Sequence, residues 1–320
     1  MRTAILSDIH GNYPALMKVL EDARVESVDN FIFLGDYCTY DFPWPNEVAR
    51  ELMKMENAYL IRGNKERILK ELREAPDEII NHRNASLYWS PRELTKDAYE
   101  YFDGMEDEMY IRLGTNALVY INHYVPISAE LINDGKHLPN KFSNPYFFRT
   151  AMSEKPFTHE EILIEYHDYI NSDICSSYIQ GIDANIIMYA HNHLQMHAYC
   201  GNKLIINPGS VGQPTDCNNK AAYTILEVTS SGFNVIEKRV EYDIEAVITY
   251  TRSSELYKKA SIITELNIHD LRAGSLNDYV LTDIIREVSA EKNEEYAGLW
   301  HCNDATWAEA GERFIAKYGV

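Results

Sequence analysis

The chain has 320 residues, 45% hydrophobic and 25% charged, which supports a large packed core and excludes global disorder. Thirty Lys and Arg against 49 Asp and Glu leave a formal charge of −19, which argues against adhesion to polymeric nucleic acid or an anionic membrane. A small phosphorylated substrate stays compatible with that charge, because a bound cation reverses the field inside one cleft.

Residues 3–8 read as a strand entering the core. Asn12 is placed to cap the next segment, Pro14 suits its first turn, and Leu16, Val19, Leu20 and Ala23 recur at helical spacing. Residues 31–34 predict a second buried strand ended by Gly35-Asp36, residues 45–55 a helix, and residues 58–61 a third strand stopped by Gly63-Asn64. This alternation predicts parallel pairing through right-handed crossovers. Residues 66–104 read as helical, with a start at Ser90-Pro91-Arg92-Glu93. Two strands at 109–113 and 117–122 then pair across Gly114-Thr115-Asn116. Residues 124–185 read as an insertion: a polar, aromatic loop, then a helix begun by the capping box Thr158-His159-Glu160-Glu161. Strands resume at 186–190, around the hairpin signal Cys200-Gly201-Asn202-Lys203, and at 221–228 and 233–242. From about residue 243 the pattern is helical, so the expected organisation is a domain over 1–245 and a helical extension over 246–320 packed on it.

The five cysteines (Cys38, Cys175, Cys200, Cys217 and Cys302) are odd in number, scattered and without C-x-x-C spacing, which disfavours a disulfide framework or a thiolate zinc cage. No apolar run approaches the roughly 18 residues of a membrane span, and Asp8 interrupts any apolar leader. The expected compartment is the cytoplasm.

The informative polar residues sit directly after the predicted strands. Asp8 and His10 lie two apart at one strand end, where an extended chain would send both side chains to the same side. Asp36 follows the second strand, Asn64 the third, His123 the strand at 117–122, and His191 and His193 the strand at 186–190. Carboxyl ends of strands in an α/β sheet gather at one edge, where sites form, so seven candidate metal ligands are expected to converge. Each motif alone is an ordinary turn or a chance pair. The ordered set is the signal.

That order, Asp8-Ile9-His10, Gly35-Asp36, Gly63-Asn64, His123, His191-Asn192-His193, resembles the calcineurin-like metallophosphoesterases. The stretches Asp8-Ile9-His10-Gly11-Asn12 and Asn207-Pro208-Gly209-Ser210-Val211-Gly212-Gln213-Pro214 resemble the small bacterial and archaeal phosphodiesterase branch of that family. The resemblance covers residues 1–245 and implies a four-layer α/β/β/α sandwich with metals at the strand ends. It implies that Asp8, His10 and His193 hold one divalent ion, that Asn64, His123 and His191 hold a second, and that Asp36 bridges them. Such a donor set suits manganese or iron, with zinc as an alternative. The implied activity is hydrolysis of a small or nucleotide-like phosphodiester by hydroxide held between the two metals. Phosphomonoesterase or protein phosphatase activity, dinucleoside polyphosphate hydrolysis, and a non-catalytic scaffold of the same fold are the alternatives. The expected partner is a small phosphorylated molecule, and nothing in the sequence sets the oligomeric state.

One position departs from the family pattern. Many members carry a His after the Gly-Asn, where it contacts phosphate or protonates the leaving group; here the sequence reads Arg62-Gly63-Asn64-Lys65-Glu66. Lys65 is therefore a candidate catalytic residue that stabilises charge, and as a poorer proton donor than imidazole it favours leaving groups that need little protonation. Asn12, Tyr37 and Arg62 flank candidate ligands and are candidate substrate contacts, with turn capping or core packing as the alternatives. The loop at 207–210 is expected to support the site from beneath. Phe142, Tyr146, Phe147, Phe148 and Arg149 suggest either a lid over the cleft or a packed patch. Leu299, Trp300, Trp307 and Phe314 suggest an apolar docking face, and the other seven histidines, His82, His137, His159, His167, His197, His269 and His301, read as ordinary.

Overall fold

Side-chain alternation along the first strands decides the layering. In the computed structural model, which describes residues 1–38, 41–124, 158–299 and 301–319, β1 (Arg2–Leu6), β2 (Asn30–Phe33) and β3 (Ala58–Leu60) run parallel. Ala4, Leu6 and Phe33 point outward onto α1 (Tyr13–Val25), α2 (Pro45–Leu52) and α6 (Lys96–Asp103), where Leu16, Val19, Leu52 and Phe102 cover them. Ile5, Ile32 and Leu34 point the other way, into a second sheet. Strands buried on both faces read as continuous apolar runs, which is why these segments stand out in the sequence.

The second sheet has the order β4-β5-β6-β8-β7, built from β4 (Glu108–Leu113), β5 (Ala117–Asn122), β6 (Ile186–Met188), β7 (Gln195–Cys200) and β8 (Lys203–Pro208). The first has the order β10-β9-β1-β2-β3, closed by the antiparallel pair β9 (Ala221–Thr229) and β10 (Gly232–Val240). Ile111, Val119, Ile121, Ile186, Met188 and Ile206 meet the first sheet in the shared core. On the far face of the second sheet, α7 (His159–Ile170) and α8 (Asp173–Gly181) bury Ile162, Tyr166, Ile170 and Ile179 against Ile187, Tyr189 and Ile205. The result is the expected α/β/β/α sandwich.

Two expectations need correction. Residues 159–181 are the fourth layer rather than part of an insertion, because the apolar stripe on these two helices is the cover of the second sheet. The lid residues Phe142, Tyr146, Phe147, Phe148 and Arg149 lie outside the described residues, as does Trp300. The helix start at Ser90-Pro91 is not a start either: α5 (Ala85–Glu93) runs through it with Pro91 in its last turn, and Thr95 caps the next helix. Tertiary packing overrides the local signal there. Trp89 packs against Leu256 and Ala260, and Arg73 Nη1 donates to the carbonyls of Pro91 and Leu94, each at 2.9 Å.

After β10 come α9 (Ile244–Ser253), α10 (Glu255–Ala273), α11 (Asp278–Glu291) and α12 (Asp304–Tyr318). The last three share a core of Ile263, Leu266, Leu281, Ile285, Val288, Trp307 and Phe314, with Leu299 joining it. Helices α9 and α10 also clasp the sandwich, since Phe42 inserts among Val247, Ile248, Ile268 and Leu271. None of the five cysteines is in a disulfide, and among the described residues no helix is long and apolar enough to cross a membrane.

Candidate metal centre

The strand ends of both sheets open onto one pocket. Asp8 and His10 follow β1, Asp36 follows β2, and Asn64 opens α3 (Asn64–Arg67) just after β3. His123 follows β5, and His191 and His193 follow β6. The convergence expected along one sheet edge is thus made by two facing sheets, with four residues from the first and three from the second.

The local backbone differs from the extended geometry expected of the two-apart pairs. Among the described residues eight non-glycine positions have positive φ, and five are candidate ligands: Asp8 (52°), His10 (51°), Asp36 (54°), His191 (72°) and His193 (60°). Left-handed backbone costs a non-glycine residue roughly 1–2 kcal/mol, and such outliers gather where function holds them. β1, β2 and β6 therefore end in sharp turns that bring these side chains together. Glycines make room for this: a Cβ on Gly63 would lie 2.1 Å from Asp36 Oδ1, and one on Gly35 would lie 2.4 Å from the Gly63 nitrogen.

Two triads result. Asp8, His10 and His193 bring their ligand atoms within 4.8 Å of one another, and so do Asp36, His123 and His191. Asn64 Oδ1 joins the second at 3.0 Å from His123 Nε2 and 3.1 Å from His191 Nδ1. Asp36 lies between them, with Oδ2 3.9 Å from His10 Nε2 and Oδ1 3.5 Å from His123 Nε2.

The groups behind the triads orient them. His123 Nδ1 donates to the Leu34 carbonyl and His193 Nδ1 to the Gln213 carbonyl, each at 2.6 Å. A carbonyl only accepts, so both rings carry a proton on Nδ1 and turn Nε2 toward the other ligands. His10 Nδ1 faces Asp41 Oδ2 at 2.9 Å. Glu66, 2% exposed, accepts from the backbone N–H groups of Asp36, Tyr37 and Gly63 at 2.9–3.0 Å and so clamps two ligand-bearing turns with one carboxylate. Burial, and Asp36 beside it, push the Glu66 carboxyl above its ordinary range. Ser210 Oγ donates to the Asp8 carbonyl at 2.7 Å, and Asn207 Nδ2 donates to Asn192 Oδ1 at 2.6 Å, so the loop at 207–210 does support the site from beneath.

The electrostatics are those of a cation site. Burial alone would raise the carboxyls of Asp8 and Asp36, but His193, His123 and His10 outweigh it at Asp8, and His123 and His10 at Asp36, so both stay below the usual range. Burial would also depress His10, yet Asp41, Asp36 and Asp8 raise it to about 9.

The three candidate substrate contacts do not reach the pocket freely. Tyr37 is 0% exposed; its hydroxyl donates to the carbonyls of Ile61 (2.6 Å) and Phe33 (3.1 Å), and its ring stacks on Phe102. Asn12 is a helix cap that accepts from the Ala15 N–H and donates to the Gly212 carbonyl and Tyr242 Oη. Arg62 is tied to Asp107 at 3.0 Å and to the Asp103 carbonyl. These contacts are of the turn-building and core-packing kind named as the alternative, because turn residues beside a ligand are themselves needed to build the turn. Lys65 does stand at the site: its backbone N–H donates to Asp36 Oδ1 at 3.1 Å, and its charge lowers the Asp36 carboxyl. Asp41, Glu66, Tyr124 and Arg67 were not singled out by the sequence. The guanidinium of Arg67 lies 4.7 Å over the Tyr124 ring, which meets the His191 ring edge-on at 5.2 Å. Of these, only Glu66 had a local signal, three residues after Gly63 in a capping-box position.

The sequence model of the calcineurin-like phosphoesterases matches residues 1–195. The chain belongs to that family. An uncharacterized protein of Methanocaldococcus jannaschii is 25% identical over 249 residues, which span 76% of this chain and 88% of that one. A metallophosphoesterase from Sphaerobacter thermophilus shares the fold with a TM-score of 0.60 at 22% identity, over 86% of this chain and 99% of that chain. A hypothetical protein from Pyrococcus horikoshii does so with a TM-score of 0.55 at 20% identity, over 83% and 97%.

Members of the calcineurin-like phosphoesterase family bind a dinuclear divalent metal centre, and the residues here fit one. Both Asp8 oxygens are buried without a hydrogen-bond donor at bonding geometry. His10 Nε2 and His193 Nε2 approach to 3.1 Å. Asn64 Oδ1 faces only acceptors; turned inward, the amide nitrogen would instead donate to Asp36, His123 and His191. Buried acceptors that converge without donors are costly unless a cation lies among them.

Proposed function

We propose that the chain hydrolyses phosphate esters, phosphodiesters foremost, with one divalent cation on Asp8, His10 and His193, a second on Asn64, His123 and His191, and Asp36 shared. The observation that carries this reading is the cluster around Asp8, where two carboxylate oxygens without a hydrogen bond at bonding geometry lie buried together with the imidazoles of His10 and His193. Family membership supports phosphoester chemistry at that cluster. When bound, the cations supply water activation and neutralise charge developing on the phosphoryl group.

The chain's own groups then have distinct tasks. His123 and His193 have Nδ1 committed to backbone carbonyls, which turns Nε2 of each toward the cluster as the nitrogen available to a cation. Asp36 spans the two triads and is itself held by the Lys65 N–H. The Lys65 ammonium adds positive charge beside a pocket of an otherwise acidic protein, which favours an anionic substrate. Lysine donates a proton less readily than imidazole, so the reading favours esters and anhydrides with stable leaving groups. Manganese or iron matches the nitrogen and oxygen donors, and zinc is the alternative.

The test uses protein stripped of metal and reloaded with Mn2+, with bis(p-nitrophenyl) phosphate compared against p-nitrophenyl phosphate. Metal-dependent turnover that is faster on the diester is expected. Faster turnover of the monoester would move the activity to the phosphomonoesterase class. Two bound metals with no turnover of any ester or dinucleoside polyphosphate would leave a scaffold.

A further inference from the structure

The Asp8–His10–His193 triad is joined to the C-terminal helices by a buried relay of side chains. His10 Nδ1 lies 2.9 Å from Asp41 Oδ2, and Asn267 Nδ2 on α10 donates to Asp41 Oδ1 at 2.8 Å. Asp41 is 1% exposed and Asn267 7%, so water has little access to the Asn267 hydrogen bond or to the close His10–Asp41 contact. The backbone follows the same route. Phe42 N–H donates to the His10 carbonyl at 3.1 Å, and the Phe42 ring sits among Ile268 and Leu271 of α10 and Val247 and Ile248 of α9. Trp44 stacks on Tyr250 of α9 at 4.7 Å.

Each atom in the relay has one role open to it. A carboxylate accepts, so Asp41 holds a proton on His10 Nδ1 and leaves Nε2, which faces His193 and Asp8, as the nitrogen that can ligate. The amide of Asn267 presents a donor to the other Asp41 oxygen, which fixes the rotation of the carboxyl. Resting on the reading of the pocket as a metal centre, we propose that Asp41 and Asn267 are positioning residues for His10, and that the C-terminal helices thereby set the affinity of one metal site out of two. The two other oriented histidines have their Nδ1 on backbone carbonyls, those of Leu34 and Gln213.

The relay makes an unusual prediction about a swap. In Asp41→Asn the donor of Asn267 selects the amide oxygen, which turns the amide nitrogen toward His10 Nδ1. That nitrogen donates, the proton of His10 moves to Nε2, and the ring can no longer ligate. Adding Asn267→Asp replaces the donor by an acceptor, so the amide at position 41 reverses and again offers its oxygen to His10. Loss of an outer partner of a metal-bound histidine costs about 10–100-fold in metal affinity.

The experiment measures Mn2+ stoichiometry and affinity of the full-length protein by chelator competition. Wild type is expected to bind two ions. Asp41→Asn should keep one at wild-type affinity and lose about 10–100-fold on the other, and Asp41→Asn/Asn267→Asp should recover most of that loss. Two ions at wild-type affinity in Asp41→Asn, or no recovery in the double variant, would overturn the relay. Should a variant fail to fold, nitrogen-15 spectra of the zinc-loaded wild type decide: a His10 Nδ1–H in a short hydrogen bond supports it, and ligation through Nδ1 overturns it. A wild type that binds no metal would instead overturn the reading of the pocket.

Discussion

The two halves of the pocket are built alike from strand ends but anchored differently. The Asp8–His10–His193 half is wholly buried, and side chains from distant segments hold it: Asp41, Asn267 and Ser210. In the Asp36–His123–His191 half, His191 is partly exposed beside Tyr124 and Arg67, and Glu66, just after β3, clamps both the Asp36 turn that follows β2 and the Gly63 turn that follows β3. Both halves need the tertiary fold to pre-organise them, since His123 is oriented by the Leu34 carbonyl as His10 is by Asp41. The difference is that the deep half is sealed and tied to the C-terminal helices, whereas the other has a partly exposed member that faces what enters from solvent.

Asp36 belongs to both halves, so its loss is the strongest break. Asp36→Asn should lower diester turnover by at least about 10³-fold, the scale of losing a charge-stabilising group in a water-excluded site, while circular dichroism reports a folded chain. Turnover within tenfold of wild type would sink the shared role.

pH separates the halves next. In the metal-free protein His10 is raised to about 9 from 6.5, so its ion pairs stabilise fully below about 6.5, and that contribution is lost as pH rises through about 9. A cation must displace that proton, so affinity at the deep half should rise about tenfold per pH unit from 7 toward 9. A flat profile in chelator competition would contradict it.

Gly63→Ala tests the local clamp of the open half. Its Cβ would fall 2.1 Å from Asp36 Oδ1, and overpacking of this kind costs about 1–3 kcal/mol, read as a lower unfolding midpoint with reduced turnover. A variant as stable and active as wild type would show that the Asp36 turn yields freely.

Smaller effects sharpen the assignment. Lys65→Ala should reduce turnover by about tenfold, on the scale of one general acid–base or electrostatic contact, and steepen its dependence on leaving-group pKa; no change in either would return Lys65 to the solvated surface. Tyr37→Phe removes a hydroxyl that serves two carbonyls. It should cost about 1–3 kcal/mol of stability and leave KM unchanged, and a raised KM would restore Tyr37 as a substrate contact.

Much of the fold was legible because strands buried on both faces leave unbroken apolar runs, and because Asp8, Asp36, Asn64, His123, His191 and His193 stand directly after them. The sheet partners were harder to read. Helices α7 and α8 looked like inserted chain, since an apolar helical stripe does not name the sheet it covers. Ser90-Pro91 resembled a helix start because capping patterns are local, whereas Trp89 answers to Leu256 and Ala260 far along the chain. Tyr37 and Asn12 looked like site residues for the same reason: adjacency to a ligand is visible in a sequence, and the direction of a side chain is not.

What the amino-acid order determined by itself was the set of polar groups delivered to strand ends, since apolar strands must be buried and the first polar residue beyond each is left at the rim. Only the tertiary structure decided how those groups divide into two triads, which left-handed turns aim them, and which outer partners fix them. Asp41 and Asn267 meet across 226 residues, and a contact of that span is set by the packing of whole helices on a sandwich, not by any pattern that a stretch of chain carries within itself.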